Sequence, residues 1–190
     1  ITGISSLENI ALISIEGSGM IGVPGFAKRV FTGLNDASIN VILISQGASE
    51  HSICVAVRND AKNQAIEALE NTFEKEISNG IMQPISSSGD VSIIGLVGEN
   101  MRNHPGISGR MFGSLGRNGI NVLAIAQGSN ERNISAVIRS SDRIKALNVL
   151  HESFFEDAKK ELNLFIFGTG NVGKKLIEQL RKQSDKIGEL

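Results

Sequence analysis

The sequence predicts an α+β fold made of two tandem copies of one small domain. The first observation is an internal repeat, in which Ile39–Arg58 aligns without a gap onto Ile120–Arg139, at an offset of 81 residues (120 minus 39). The repeat extends from Asn9–Glu76 onto Asp90–Asp157, where about 20 of 68 positions are identical. The second observation is that strand-like apolar runs and amphipathic helical segments follow the order βαββαβ. Two copies are too few for a solenoid, so the repeat indicates two domains.

The first copy contains four predicted strands and two helices. The strands are Leu7–Ser14, Val41–Ser45, the hairpin strand that ends at Arg58, and Ile81–Ile85. Pro24 is predicted to open the first helix, because proline suits a first helical turn. The second helix runs from about Asp60 to Glu76, and Asp60 is a candidate N-cap. Pro84 would confine the last strand to a sheet edge or a strand end.

The second copy follows a polar linker, Ser86–Asp90, and lacks a fourth strand. Its predicted elements are strand Val91–Val97, loop Glu99–His104, helix Pro105–Arg117, hairpin strands Ile120–Gln127 and Asn133–Arg139, and helix Asp142–Phe155. We expect Ile1–Ser5 to supply the missing strand, so that the first domain (residues 6–85) is inserted into the second (residues 1–5 with 86–158). Units of this order and size are ferredoxin-like, with two helices on one face of a four-stranded antiparallel sheet.

Composition limits the possible functions. The net charge is −1, from 19 basic and 20 acidic residues, so no electrostatic patch for nucleic acid or an anionic membrane is expected. The apolar runs are too short to span a bilayer. The single cysteine, Cys54, cannot form an internal disulfide, which favours a cytoplasmic location. The three histidines have neither metal-ligand spacing nor cysteine partners, so we expect no metal site in this chain.

The loops that precede the first helix of each copy are candidate binding sites. They are Gly17–Gly25 and Gly98–Gly106, and the residues before each proline, Val23 and His104, are poor N-caps. The free N–H groups at such a helix start could bind a carboxylate; a tight turn capped by water is the alternative. Gln46 and Gln127, at the end of the next strand, carry amides that donate and accept hydrogen bonds, although each could simply cap its hairpin.

A third motif lies near the end of the chain. Gly168-Thr-Gly-Asn-Val-Gly173 follows an apolar run and opens an amphipathic segment, which is the strand–turn–helix context of a dinucleotide-binding fingerprint. We interpret residues 162–190 as the first βα unit of a truncated Rossmann domain, which should not hold a cofactor by itself. In a longer protein, Gly168, Gly170, Asn171, Val172 and Gly173 would contact the cofactor.

These residues together carry a resemblance to a known family. The stretches GMIGVPGFAKRVF and INVILISQGASEHSICVAV resemble the first ACT domain of aspartokinases. The stretches MRNHPGISGRMF and INVLAIAQGSNERNISAVI are similar to their second ACT domain, and the continuation into LFIFGTGNVG is typical of bifunctional aspartokinase–homoserine dehydrogenases. The resemblance implies a regulatory region between two enzymes, which bind ATP and NAD(P). Such regions bind an end-product amino acid, commonly threonine, and inhibit the enzyme by feedback.

The resemblance also implies a set of ligand contacts. They are Met20, Ile21, Gly22, Val23, Pro24, Gly25, Asn40, Val41 and Gln46 in the first copy, and Met101, Asn103, His104, Pro105, Gly106, Asn121, Val122 and Gln127 in the second. We expect threonine rather than lysine, since neither contact strand carries an Asp or Glu to pair with a buried ammonium. An aspartokinase regulatory region that senses lysine or methionine and an NAD(P)-dependent oxidoreductase fragment are the alternatives. We also expect a homodimer through the uncharged edge Ile39–Ser45.

Overall fold

Two long antiparallel strands join the two copies into one sheet. The computed structural model describes residues 1–48, 51–99, 101, 104–128, 132–156, 167–168 and 170–187, with the backbone alone at 181 and 183–187. The strands are β1 (Gly3–Glu16), β2 (Leu43–Gln46), β3 (Ser52–Arg58), β4 (Ser86–Val97), β5 (Ala124–Gln127) and β6 (Asn133–Arg139). The helices are α1 (Phe26–Asp36), α2 (Lys62–Thr72), α3 (Glu74–Ser78), α4 (Ile107–Arg117), α5 (Arg143–Phe155) and α6 (Asn171–Ile187).

The long strands β1 and β4 are each divided between the copies. The strand order is β2-β3-β1-β4-β6-β5, and every pairing is antiparallel. Ile10 pairs with Val91, its own counterpart in the repeat, so a pseudo-two-fold axis passes between these two residues. Each copy therefore contains one half of β1 and one half of β4. Together with its two hairpin strands, these halves form a four-stranded antiparallel sheet.

The first residues of the chain belong to the sheet of the second copy, as predicted. Gly3, Ile4 and Ser5 pair with Val97, Leu96 and Gly95, and the Thr2 N–H donates to the Val97 carbonyl at 2.8 Å. The corresponding bond in the first copy runs from the Gln83 N–H to the Glu16 carbonyl at 2.9 Å. The two copies thus close their sheets with the same backbone geometry.

The predicted fourth strand Ile81–Ile85 and the predicted linker Ser86–Asp90 are both wrong. Residues 81–85 are not in a strand, whereas Ser86, Ser87 and Ser88 pair with Ser14, Ile13 and Leu12. Pro84 has no N–H to donate to the ladder, which explains why the strand begins after it. The serines pair through their backbone, which does not require apolar side chains.

Two predicted helix starts are also corrected. Helix α1 begins at Phe26 rather than Pro24, because Gly25 adopts a left-handed φ of 83°. Helix α2 begins at Lys62, after a 3-10 turn over Asn59–Ala61. Asp60 does not cap α2, since no side chain does; its carboxylate instead accepts a hydrogen bond from Arg58 Nε at 3.3 Å.

Three hydrophobic clusters fill the unit formed by Ile1–Glu156. The first lies between α1, α2 and the sheet of the first copy, and the second between α4, α5 and the sheet of the second. The third is formed by strand residues on the opposite faces of both copies: Ile10, Leu12, Leu43, Ala56, Val91, Ile93, Ala124 and Val137. The helix-free faces of the two copies therefore pack on one another, and the edge strands β2 and β5 come into contact.

The second compact unit is Asp157–Leu190, of which the structure describes mainly α6. The strand predicted to precede the Gly-rich motif falls on residues 162–166, outside the described residues. Within the part of the chain that is described, no helix has the length and apolar character needed to cross a bilayer.

The contact between α1 and α2 depends on a glycine. A Cβ placed on Gly33 would lie 2.4 Å from the Thr72 hydroxyl oxygen, which itself donates to the Ala68 carbonyl at 2.7 Å. In the second copy the equivalent pair is Ser114 and Ser153, whose hydroxyls are hydrogen-bonded at 3.0 Å. The first copy thus needs a residue without a side chain here.

We predict that Gly33→Ala destabilises the protein, despite the gain of about 1 kcal/mol expected from helix propensity. The added methyl group overpacks the contact, which typically costs about 1–3 kcal/mol. Urea unfolding measures the free energy of unfolding of the wild type and of each variant. Gly116→Ala in α4, where nothing lies within 4 Å of the added Cβ, should be stabilising. Thr72→Ala, which removes the hydroxyl that would clash, should relieve Gly33→Ala, and equal stabilisation by both glycine substitutions would refute the proposed contact.

Candidate functional site

The loop before α1 surrounds a small cavity at the start of the helix. Met20 is buried and anchors the loop, whereas Ile21 and Val23 are about half exposed, at 47% and 50%. In the part of the chain that is described, no side chain caps the N-terminus of α1. The cavity has a volume of about 160 Å³ and is lined by Met20, Val23, Gly25, Phe26, Ala27, Gln46 and Ile53. The structure therefore brings Gln46 to the loop, as the predicted site requires.

The equivalent loop of the second copy has a different cavity. Met101 is buried like Met20, and Gly106, with φ 93°, precedes α4 without a side-chain cap. The cavity measures about 410 Å³ and is lined by Ile1, Glu99, Met101, His104, Pro105, Gly106, Ile107, Arg110 and Phe154. Gln127 lies beside the start of α4, where its Oε1 accepts a hydrogen bond from Ser108 at 3.4 Å. Predicted contact Asn103 lies outside the described residues.

The remaining predicted contacts lie at the other end of each first helix. Asn40 and Val41 follow the C-terminal end of α1, and Asn121 and Val122 follow that of α4. An 11-residue helix is roughly 16 Å long. Asn40 and Val41 do not line the cavity under the loop. One small ligand therefore cannot contact the loop and the Asn-Val pair of the same copy.

A larger cavity lies between the helix-free faces of the two copies. It has a volume of about 600 Å³, and its lining includes both Gln46 and Gln127. Ser5, Ser45, Asn133 and Ser135 add hydroxyl and amide groups, and none of the described residues that line it is charged. The two repeat-related glutamines, which the sequence places in separate sites, thus lie on one shared cavity.

An arginine beside each loop was not identified from the sequence. Arg29 lies 4.5 Å from the centre of the Phe73 ring, and donates to the Thr72 carbonyl and to Glu76. Its repeat counterpart Arg110 lies 4.9 Å from the centre of the Phe154 ring and donates to the Ser153 carbonyl. The internal repeat could have identified this pair, because both the arginine and the phenylalanine are identical between the copies. Each arginine fixes the first helix of its copy against the second.

The Arg29–Glu76 pair shifts the ionisation of both groups. The hydrogen bond from Arg29 lowers the pKa of Glu76 below its usual value, and the same bond raises the pKa of Arg29. Glu76 Oε2 is buried without a hydrogen-bond partner among the described residues. The corresponding position in the second copy, Asp157, lies outside the described residues.

The Gly-rich turn at residues 168–173 belongs to the second unit. Gly168 has a left-handed φ of 94°, and a Cβ on Gly173 would lie 2.3 Å from the Gly168 carbonyl oxygen. Helix α6 begins at Asn171, within this Gly-rich stretch. Only glycine fits at Gly173, which is the close packing that a dinucleotide fingerprint needs. Among the described residues, no group of three His, Cys, Asp or Glu side chains could hold a metal ion.

Sequence comparison identifies the family of the repeated domain. Residues 13–73 and 94–154 match the profile of the ACT domain. The chain belongs to the ACT domain family. The two matches coincide with the two copies of the repeat, so the unit Ile1–Glu156 is a tandem pair of ACT domains with a shared antiparallel sheet.

The full chain is also similar to part of several larger enzymes. It is 39% identical to the bifunctional aspartokinase/homoserine dehydrogenase of Haemophilus influenzae over 189 residues, which is 100% of this chain and 23% of the relative. It is 40% identical to the chloroplastic bifunctional aspartokinase/homoserine dehydrogenase 2 of Arabidopsis thaliana over 184 residues, 97% of this chain and 20% of the relative. The chain thus spans about a fifth of the length of these relatives.

The fold is that of an aspartokinase regulatory subunit. The ligand-free regulatory subunit of aspartate kinase from Thermus thermophilus superimposes with a TM-score of 0.69 and 26% identity, covering 81% of this chain and 98% of that one. The tandem ACT architecture therefore corresponds to the regulatory region of these enzymes.

We predict that Glu76→Gln lowers stability at pH 7 by less than about 1 kcal/mol, since the pair is partly exposed. The folded-state pKa of Glu76 is lowered, so the ionised carboxylate stabilises the fold above its unfolded pKa, and this stability is lost as the pH falls through the lowered folded pKa. The difference between wild type and Glu76→Gln should therefore disappear in acid. Urea unfolding at neutral and acidic pH measures the free energy of unfolding of both proteins, with Glu70→Gln as control. A stability difference between wild type and Glu76→Gln that persists in acid would refute the predicted role of the Glu76 carboxylate.

Proposed function

We propose that this chain is the threonine-binding regulatory region of a bifunctional aspartokinase–homoserine dehydrogenase, acting in feedback inhibition of aspartate-family amino acid biosynthesis. The observation that carries the proposal is the Gln46 amide beside the uncapped start of α1. A helix start without a side-chain cap offers N–H groups and a positive dipole to a carboxylate. The amide can then bind a hydroxyl or an ammonium group.

The size and lining of the first cavity favour a small amino acid. Its volume of about 160 Å³ is below the roughly 300–1,000 Å³ of typical ligand pockets. Among the described residues, no charged side chain lines it, so a buried lysine ammonium would have no carboxylate partner there, which is unfavourable. Methionine has an uncharged side chain without a hydroxyl, so only its ammonium group could use the Gln46 amide.

We infer that the predicted contacts come together only in a homodimer. Because the loop and the Asn-Val pair lie at opposite ends of α1, Asn40 and Val41 would reach the loop of a partner copy. The edge strands β2 and β5 support this arrangement, since Ile44 and Ile125 are repeat-related, 47% and 45% exposed, and carry no charge to prevent pairing. Such edges can pair across subunits and extend both sheets.

The activities of the longer protein are part of the same proposal. The chain itself would have no catalytic residues; aspartate kinase, with ATP, and homoserine dehydrogenase, with NAD(P), would lie in the flanking domains. Gly168, Gly170, Asn171, Val172 and Gly173 fit the turn of a dinucleotide site, where their N–H groups would face the pyrophosphate at the start of α6. We place the protein in a reducing compartment, the cytoplasm, although the Arabidopsis relative is named as chloroplastic.

We predict that threonine binds the chain and that Gln46→Ala weakens binding about tenfold, as expected for one lost hydrogen bond. Isothermal titration calorimetry measures the affinity, with lysine and methionine as comparison ligands. Gln83→Ala, an exposed glutamine away from the cavity, should bind normally. Gln127→Ala should affect threonine binding at a separate site, in the second copy. Tight lysine binding without threonine binding, or an unchanged affinity in Gln46→Ala, would refute the assignment.

We predict a dimer in sedimentation velocity at micromolar concentrations, and a monomer for Ile44→Lys, because a charge on an edge strand opposes pairing. Ile144→Lys is the matched control, since Ile144 is 65% exposed but lies on α5. If the wild type sediments as a monomer at high concentration, pairing of the edge strands does not occur.

A further inference from the structure

The turn that follows α3 packs against the loop before α1. The Gly19 N–H donates to the Ile81 carbonyl at 3.3 Å, and a Cβ on Gly19 would lie 1.8 Å from Ile81 Cγ2. A Cβ on Gly17 would lie 2.7 Å from the Ile81 carbonyl oxygen and 2.8 Å from Met82 Cα. We call residues 76–82 the α3 turn. Its contact with the loop therefore requires residues without a side chain at two positions of the loop.

Glu76 connects the α3 turn to the start of α1. The Glu76 carbonyl accepts hydrogen bonds from the N–H groups of Ile81 and Met82, at 2.9 and 3.2 Å, and these bonds close the turn. The Glu76 carboxylate accepts a hydrogen bond from Arg29, which lies in the first turn of α1. One residue thus fixes the loop on both sides, at its beginning through the α3 turn and at its end through Arg29.

An aromatic contact places the same segment beside the first cavity. Phe26 is the first residue of α1 and lines the cavity, and its ring stacks on that of Phe73 with the ring centres 4.6 Å apart. Phe73 is fully buried and immediately precedes α3. The N–H groups at the uncapped start of α1 therefore belong to a helix end that is held by the residues leading into the α3 turn.

The two copies differ in sequence at this contact. Asn100 stands where the first copy has Gly19, and the first loop has no space for an asparagine side chain beside Ile81. Residues 158–163, which correspond to 77–82, lie outside the described residues, except that they are printed in the sequence. The glycine at position 19 is therefore a feature of the first copy that the repeat does not share.

We propose that the α3 turn is a positioning element of the first binding site, which holds residues 17–25 and the start of α1 in the conformation that binds the ligand. That this ligand is threonine rests on the proposed function, whereas the contacts of the turn do not depend on it. A loop that is ordered before binding loses less conformational freedom when the ligand arrives. Separating the turn from the loop therefore lowers the affinity without removing any group that touches the ligand.

Substitution of Gly19 tests the contact through its effect on binding. Calorimetry with threonine is carried out on the chain with Gln127→Ala, so that the first site is measured separately from the second. Gly19→Ala should lower the affinity at least about tenfold, since its methyl group overpacks the contact with Ile81. Gly116→Ala, where nothing lies within 4 Å of the added Cβ, is the control and should bind normally. An unchanged affinity in Gly19→Ala would overturn the proposal.

A second substitution separates a positioning role from a general loss of structure. Ile81→Ala keeps the backbone bond to Gly19 and removes Cγ2, so the Cβ of residue 81, at 3.3 Å, becomes the atom nearest to the added methyl group. Gly19→Ala combined with Ile81→Ala should regain an affinity within about threefold of Ile81→Ala alone. A double variant that binds as weakly as Gly19→Ala would overturn the proposal. If Gly19→Ala does not fold, Glu76→Ala with Glu70→Ala as control provides the test, and unchanged binding in Glu76→Ala would equally overturn it.

Hydrogen exchange of the free chain gives a result that does not depend on the effector. Backbone amides of residues 17–25 should exchange at least about tenfold faster in Gly19→Ala than in the wild type, and should return towards the wild-type rate when Ile81→Ala is added. Amides of α4, in the second copy, should be unaffected. Equal acceleration in both copies, or no acceleration, would overturn the proposal. If threonine does not bind the wild type, the proposed function is wrong, and the exchange rates still decide whether the α3 turn holds the loop.

Discussion

The pairing of β1 with β4 around Ile10 and Val91 determines the rest of the structure. Because the two residues are equivalent positions of the repeat, their antiparallel pairing relates the two copies by a pseudo-two-fold axis. Asn9 and Asp90, the preceding residues, have φ values of 60° and 54°. The left-handed conformation costs most residues about 1–2 kcal/mol but is better tolerated by Asn and Asp. Register shifts between β1 and β4 occur at this point, where each strand passes from one copy to the other.

This central ladder also explains why the two domains form one unit. Eight buried residues, all from strands, form the core between the helix-free faces, with equal contributions from both copies. Fully burying a side chain such as leucine or isoleucine contributes roughly 1.5–3 kcal/mol, so separating the copies would expose a cluster comparable to a small domain core. Each sheet is completed by one half of a shared strand: Ser86–Ser88 of β4 complete the sheet of the first copy, and Gly3–Leu7 of β1 complete that of the second. The two ACT domains are therefore joined by β1 and β4, each of which contributes residues to both sheets.

The repeat made the fold predictable, and the failures have physical causes. Strand pairing by Ile1–Ser5 followed from counting elements in the two copies, and Gly3–Ser5 occupy that place. The polar strand Ser86–Ser88 was missed because its side chains give no apolar alternation, and its backbone pairing comes from tertiary contact with Ser14–Leu12. The start of α1 was misplaced because Pro24 suits a first helical turn, although Gly25 takes the N-cap position. For the candidate site, sequence located Gln46 and the loops, but not the arginine beside each loop or the distance that separates the loop from Asn40.

Departures from symmetry matter more for function than symmetry itself. The strand pairings of the two copies are nearly equivalent, so differences in the residues of their loops change the linings of two otherwise similar frameworks. Ile21 and Val23 give the first loop an apolar surface, whereas Arg102, Asn103 and His104 make the second loop polar. The cavity of the first loop is enclosed by apolar residues and Gln46, while that of the second is larger and lined by Glu99, His104 and Arg110. Two sites of equal affinity for one ligand are not expected from such linings, and a regulatory region with unequal sites can respond over a wider range of effector concentration than one with identical sites.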